Sequence, residues 1–281
     1  MKNGFCSGKL FLIAGPCVVE SDDLNYRVAD ALARLSERVP GGIIYKSSFD
    51  KANRSNVGAP RGPGMDEGLA ALERVRARSG LPVLTDVHLP EQCAVAASVV
   101  DFLQIPAFLC RQTDLLLAAG ATGKPVNIKK GQWMEPEAMR GAVAKVREAA
   151  PSEGDRTGTG TKSDGRVAVT ERGTFFGYGD LTVDMRSFAR MRAACEAPVI
   201  FDGTHSVQRP GRGEGGASGG AREFIPPLTL AAIAAGADGL FLETHPDPDN
   251  APSDGPNMIP LAELPALVER AVEVWSVCRA R

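Results

Sequence analysis

Eight short runs of apolar residues recur along the chain, and most of them turn polar at their last positions. In order they are LFLIAG (10–15), IIYKSSF (43–49), PVLTDVH (82–88), FLQIPAF (102–108), PVNIKKG (125–131), RVAVTERG (166–173), PVIFDGTH (198–205) and GLFLETH (239–245). A nearly continuous apolar run marks a strand covered on both faces, the condition met in parallel sheets. Segments of helical spacing lie between the runs. The clearest are 23–38, 66–79, 136–150, 183–195 and 223–235, with 261–278 closing the chain; 90–99 and 113–119 are shorter. Asp22 or Asp23 is expected to cap the first helix. Pro90 and Pro136 suit a first helical turn, where no amide donor is needed.

Eight such alternations within 281 residues, without a large break in composition, predict an α/β fold: a single (β/α)8 TIM barrel over 1–281. An open doubly wound sheet is the structural alternative. The turn after the first run, GPCVVES, carries neither a GxGxxG fingerprint nor a Walker pattern, which argues against it. Two segments stand outside the repeat. Residues 151–165, PSEGDRTGTGTKSDG, read as a flexible insertion on the amino-terminal side of the sixth strand. Residues 209–222, RPGRGEGGASGGAR, follow the seventh strand on the active side and have the composition of a lid.

Hydrophobic residues make up 43% and charged residues 23%, as in ordinary globular proteins. A net charge of −2 gives no reason to expect binding to nucleic acid or a membrane surface, so any anionic ligand needs a local cluster of cations. No run approaches the roughly 18 apolar residues of a membrane span. The six cysteines form no CxxC and no regular framework, which fits a reducing cytoplasm. The apolar core of the opening segment, 10–14, is shorter than the roughly 7–15 residues of a signal sequence.

The chemistry gathers at the run ends. The chain has three histidines, His88, His205 and His245, and each ends a run. Cations leave several runs toward the same face: Lys46, Lys51, Arg54 and Arg61; Arg111; Lys129 and Lys130, with Gln132 beyond; and Arg172 after Glu171. Such a set makes an anion-binding floor, Arg pairing bidentately with phosphate or carboxylate and Lys adding compact charge. Lys46 and Lys129 sit within apolar runs, where a lone ammonium costs several kcal/mol unless paired. Cys17, His205 and Glu243 end the first, seventh and eighth strands, neighbours in a closed barrel, and Asp254 lies in the next loop. A thiolate, an imidazole and two carboxylates suit Zn²⁺, Fe²⁺ or Mn²⁺. On the residues alone this competes with an inert buried thiol at Cys17. His88 reads as a hydrogen-bonded residue lining the site, and the role of His245 stays open.

GPCVVES, YKSSFDKANRS, RGPG, TDVH, LQIPAFLCRQTDL, NIKKGQW, ERG with FGY, FDGTHSVQ and HPDPDNAPSDGP run in order from Gly15 to Pro256. Together they resemble the 3-deoxy-D-manno-octulosonate-8-phosphate synthases, also called 2-dehydro-3-deoxyphosphooctonate aldolases. The resemblance implies condensation of phosphoenolpyruvate with D-arabinose 5-phosphate and water, releasing inorganic phosphate, in lipopolysaccharide precursor synthesis. It implies attack of C3 of phosphoenolpyruvate on the sugar aldehyde and C–O cleavage. Cys17 in place of Asn implies the metal-dependent form, with Cys17, His205, Glu243 and Asp254 as ligands of a divalent metal ion. Lys46, Lys51, Lys129, Gln132 and Arg172 would hold phosphoenolpyruvate, and Asn53, Arg54 and Ser55 the sugar phosphate. Arg111 would reach a neighbouring subunit's site, implying a homo-oligomer, usually a tetramer. Lys46, Asp86, His88 and His205 are the expected catalytic groups, Lys46 as proton donor or relay if neighbouring cations depress its pKa. Two other readings remain. One is another phosphoenolpyruvate-dependent synthase of the heptulosonate or sialic-acid type, which KANRS argues against because heptulosonate enzymes typically carry a KPRT-like motif there. The other is a non-catalytic sugar-phosphate-binding barrel.

Overall fold

A computed structural model describes residues 4–5, 8–54, 57–151, 165–213 and 219–279. Eight parallel strands pair in sequence order: β1 (Phe11–Gly15), β2 (Ile43–Lys46), β3 (Val83–Asp86), β4 (Phe102–Ile105), β5 (Val126–Lys129), β6 (Val167–Glu171), β7 (Val199–Asp202) and β8 (Gly239–His245). The register Phe11↔Gly239 through Gly15↔Glu243 joins β1 to β8 and closes the sheet. Eight helices cover it: α1 (Asp22–Ser36), α2 (Met65–Ser79), α3 (Pro90–Val99), α4 (Thr113–Ala121), α5 (Met139–Ala149), α6 (Ser187–Cys195), α7 (Ile225–Ala234) and α8 (Leu264–Arg279). This is the (β/α)8 barrel that the alternation predicts. Closure is tight where β1 meets β2: a Cβ on Gly15 would lie 2.1 Å from the Lys46 carbonyl oxygen.

Some boundaries differ from expectation. Ser21 caps α1, its side chain accepting from the Leu24 amide, so neither Asp22 nor Asp23 is the cap; both fall in the first turn, where acids favour the helix dipole. Pro136 opens a short 3-10 turn ahead of α5. An antiparallel hairpin, Thr174–Gly177 with Asp180–Thr182, follows β6 in a stretch for which the sequence reading named no element. In the expected lid, Arg209 and Gly219 pair in a second small ribbon, and the Arg209 guanidinium bonds Asp180 at 2.9 Å. Residues 214–218 of that segment, and 152–164 of the expected insertion, lie outside the described residues.

Side chains alternate between the helices and the barrel interior along each strand. The interior therefore stacks in two layers. The lower one is apolar, with Phe11, Ile13, Ile44, Leu84, Phe102, Ala168, Ile200 and Phe241, and Phe5 joins it. Phe5 packs on Phe102 with centroids 5.0 Å apart, and its amide donates to the Gly165 carbonyl at the amino-terminal end of β6. Two residues beyond Ile44, Leu84, Phe102, Ala168, Ile200 and Phe241 come Lys46, Asp86, Gln104, Thr170, Asp202 and Glu243, all buried. The barrel thus carries a charged layer on an apolar floor, at the carboxyl ends of its strands.

Candidate active site

The upper layer is held together by ion pairs and hydrogen bonds. Lys46 Nζ donates to Glu243 Oε1 at 2.8 Å and to the Cys17 carbonyl at 3.2 Å, and lies 3.6 Å from Asp86. Burial works against its charge, but Glu243 and Asp86 outweigh it and hold the ammonium above the ordinary lysine range. This corrects the expectation that neighbouring cations depress Lys46: its nearest charged partners are carboxylates. Lys129 is the depressed lysine. Burial draws it down, with Asp202 opposing, although Nζ donates to Asp202 Oδ2 at 2.7 Å. Lys129 also stands 3.6 Å over the Phe241 ring, a cation–π contact supplied by the apolar floor.

Asp86 is fixed from both sides. Gln104 Nε2 donates to Oδ1 at 2.5 Å, and the Ser48 hydroxyl donates to Oδ2. Behind Gln104 the chain continues through Asn127 Nδ2, which donates to Gln104 Oε1 at 2.8 Å, and Thr170 Oγ1, which donates to Asn127 Oδ1 at 2.7 Å. Each partner sits on the next strand, so the polar layer is a ladder from β3 to β6. Burial opposes ionisation of Asp86, yet Lys46, Lys51 and Lys129 hold its carboxyl well below the usual range. His88 stands edge-on to Phe49 at 5.9 Å, its Nδ1 buried without a protein partner, and burial lowers its pKa.

At the β8–β1 seam, Cys17, Glu243 and Asp254 each bring one ligand atom within 4.8 Å of the others. Cys17 Sγ is 3.3 Å from Asp254 Oδ2 and 3.1 Å from Ser253 Oγ. His205 enters from the turn after β7, with Nε2 3.7 Å from Glu243 Oε2. That oxygen is buried and has no hydrogen-bond partner among the described residues. Burial and, after it, Glu243 push the Cys17 thiol up to about 12. For Asp254, burial is outweighed by His205 and Lys51, and the carboxyl lies below its usual range. A buried acidic pocket of S, N and O donors with an unpaired carboxylate oxygen fits a divalent metal.

The remaining expected residues divide. Arg54 Nη1 donates to Ser253 Oγ at 2.8 Å, which ties it to the pocket; its Nη2 is buried without a partner among the described residues. Arg172 Nη2 donates to Gln208 Oε1 at 2.6 Å, Gln208 Nε2 donates to Asp254 Oδ1 at 2.9 Å, and Arg172 Nη1 is unpartnered. Gln132 is buried with Oε1 unpaired, and Lys51 donates to Ser48 Oγ at 3.0 Å. Asn53 is exposed, and Ser55 lies outside the described residues. Arg111 is exposed and lines a separate groove of about 430 Å³ with Cys110, Trp133, Met134 and Lys145. Lys130 turns away from Lys129 and pairs with Glu171 at 3.4 Å, as alternation requires. His245 accepts from the Asp247 amide at 2.9 Å and has Nε2 3.2 Å from Glu20 Oε1.

Neither the ladder of Ser48, Gln104, Asn127 and Thr170 nor three further contributors were expected. Asp202 joins Lys129 to His205, Ser253 links Cys17, Arg54 and Asp254, and Gln208 bridges Arg172 to Asp254. The signal for Asp202 was its place two residues after inward-facing Ile200. Ser253 and Gln208 come from loops and carry no such periodicity.

The DAHP synthetase I family matches residues 6–278. A protein of Rhodopseudomonas palustris (strain BisB5) named 2-dehydro-3-deoxyphosphooctonate aldolase is 53% identical over 272 residues, covering 97% of this chain and 90% of that one. Proteins of the same name from Verminephrobacter eiseniae (54% over 271 residues; 96% and 92%) and Brucella ovis (50% over 274 residues; 98% and 94%) are similarly related. With the barrel closed and this polar layer at its carboxyl end, the chain belongs to the DAHP synthetase I family, beside relatives named as that aldolase.

Proposed function

We propose that this chain is a transferase that condenses phosphoenolpyruvate with D-arabinose 5-phosphate and water to 3-deoxy-D-manno-octulosonate 8-phosphate and inorganic phosphate. The observation that carries the reading is a pair of buried guanidinium donors, Arg172 Nη1 and Arg54 Nη2, that no group among the described residues satisfies. Each arginine is tied to the pocket, Arg172 through Gln208 and Arg54 through Ser253, in a chain 50–54% identical to the aldolases above. Two phosphate-bearing substrates would supply the missing acceptors, one at each arginine.

Both substrates are polyanions, so bringing them to reacting distance needs fixed positive charge. Lys129, Arg172, Lys51 and Gln132 hold phosphoenolpyruvate in this reading. Arg54, with Asn53 and Ser55, holds the sugar phosphate. Lys46 stays an ammonium between Glu243 and Asp86, so it serves as a fixed cation or an acid and not as a neutral base. Asp86, ionised and held from two sides, and His88, kept neutral by burial, line the reaction centre in this reading and can accept hydrogen bonds from the hydroxyls of the sugar.

Cys17, His205, Glu243 and Asp254 would hold a divalent metal ion, Zn²⁺, Fe²⁺ or Mn²⁺. Bound there, it would supply Lewis acidity to a carbonyl or a water. Arg111, exposed beside Trp133, would serve a neighbouring subunit in a homotetramer, and the reaction would run in the cytoplasm as a step toward lipopolysaccharide. In the described residues no helix is long and apolar enough to cross a membrane.

The deciding assay follows phosphate release and the sugar-acid product with arabinose 5-phosphate against erythrose 4-phosphate. Turnover with the pentose phosphate supports the reading. Preference for erythrose 4-phosphate would move the chain to the heptulosonate reaction, and tight binding of both substrates without phosphate release to a binding protein.

A further inference from the structure

We infer that Asp202 is a positioning residue for the metal pocket, fixing His205 as the tautomer whose Nε2 lone pair faces Glu243. The inference rests on the metal reading above. Asp202 is fully buried, and its carboxylate grips His205 twice. Oδ1 accepts the His205 amide at 2.9 Å, and the two oxygens lie 3.1 and 2.9 Å from Nδ1. The amide bond sets the turn and the ring contacts set its rotation, so the imidazole is held at both ends.

Lys129 competes for the same nitrogen, with Nζ 3.3 Å from Nδ1. Were Lys129 the donor, Nδ1 would be the acceptor and Nε2 would carry the proton. The geometry favours the other tautomer. Lys129 already donates to Asp202 at 2.7 Å, and both carboxylate oxygens are nearer to Nδ1 than the ammonium is. A proton on Nδ1 meets an acceptor, which leaves Nε2 as a lone pair. At 3.7 Å from Glu243 Oε2, Nε2 is also too far to donate well. Two lone pairs facing one another suit a shared cation. A carboxylate behind a metal-binding histidine is the usual way to fix its tautomer and raise its basicity. The same carboxylate anchors Lys129, so one side chain sets both a cation of the floor and a ligand of the pocket.

The test compares wild type with Asp202→Asn and Asp202→Glu in the full chain. Co²⁺ serves as probe, read by its thiolate charge-transfer absorption and by competition with a chelator. Asp202→Asn is expected to weaken Co²⁺ binding about 10- to 100-fold, with partial recovery in Asp202→Glu. The tautomer is read directly by long-range ¹H–¹⁵N spectra of the chelated protein, where only three histidines contribute. Wild type is expected to show His205 protonated at Nδ1, a preference lost in Asp202→Asn. Protonation at Nε2 in the wild type overturns the inference without any variant. Equal Co²⁺ affinity in wild type and a folded Asp202→Asn overturns it as well. If wild type binds no Co²⁺ at all, the metal reading falls, and this inference with it.

Discussion

Lys46 and Glu243 meet at 2.8 Å across the interior of the barrel, both fully buried, from strands 197 residues apart in the chain. The pair spans the seam where β1 closes against β8, and Asp86 flanks it at 3.6 Å. Removing one member of a buried pair leaves an uncompensated charge, which costs about 3–5 kcal/mol. Lys46→Met in the chelated protein is therefore expected to lose about that much unfolding free energy in urea. Adding Glu243→Gln should restore much of the stability, because the stranded carboxylate is gone. Condensation activity should stay low in both variants, since the fixed cation is absent. Denaturation midpoints and initial rates for the four proteins of the cycle check the prediction; full additivity of the two single losses would count against the pairing.

Asp86 carries a pH consequence. Its folded pKa lies below the unfolded value near 3.9 because Lys46, Lys51 and Lys129 outweigh burial. A depressed carboxylate contributes stability that is fully present above the unfolded pKa and lost as pH falls through the folded one. Unfolding free energy should thus be nearly flat from pH 7 to 5 in this contribution and decline below about pH 4. Asp86→Asn removes the titrating group, so its acid decline should be shallower than that of wild type. Urea unfolding at pH 7, 5 and 3.5 measures the difference, and parallel declines would reject it.

Much of this site follows from a period of two. Ile44 and Lys46, Leu84 and Asp86, Ile200 and Asp202, and Phe241 and Glu243 are each an apolar floor residue and the polar residue above it. Reading only where the runs end catches Lys46, Asp86 and Glu243 but passes Asp202, because His205 in FDGTH draws the eye instead. Gln104 is missed for the same reason: FLQIPAF looks apolar throughout, although its one amide points inward. Other features have no local pattern. The raised pKa of Lys46 depends on which carboxylates arrive from β3 and β8. Ser253 and Gln208 reach the pocket by the folding back of separate loops. The hairpin after β6 was legible in TFFGYGDLT, an aromatic run broken by glycines, but a single expected strand–helix repeat left it no place.

The two arginines should separate kinetically. Arg172 reaches the pocket through Gln208, and Arg54 through Ser253. A hydrogen bond to a charged group contributes about 1.5–3 kcal/mol, or roughly 10- to 150-fold in affinity. Arg172→Met is expected to raise KM for phosphoenolpyruvate by about that factor while leaving KM for the sugar phosphate within about threefold. Arg54→Met should do the reverse. Steady-state kinetics with each substrate varied in turn give the answer, and equal effects of both variants on both substrates would dissolve the division.

Chelation and thiol chemistry report on the same residue from two directions. Cys17 is buried, with its thiol pushed up to about 12, so in the metal-free protein it is protonated and a poor nucleophile. Among the described cysteines, exposed Cys278 should react with a thiol reagent first, while Cys17, Cys93, Cys110 and Cys195 react slowly in the folded chain. Activity should fall on chelation and return with Mn²⁺, Zn²⁺ or Fe²⁺, each reloading releasing the Cys17 proton, so that affinity strengthens as pH rises. Cys17→Asn should bind the ion far more weakly and release no such proton. Proton release on metal addition, followed by calorimetry in buffers of different ionisation enthalpy, distinguishes a thiolate ligand from carboxylates alone. Those are already ionised at pH 7, since Glu243 and Asp254 are both depressed by their cationic neighbours against the pull of burial. Equal proton release from wild type and Cys17→Asn would take the thiol out of the ligand set.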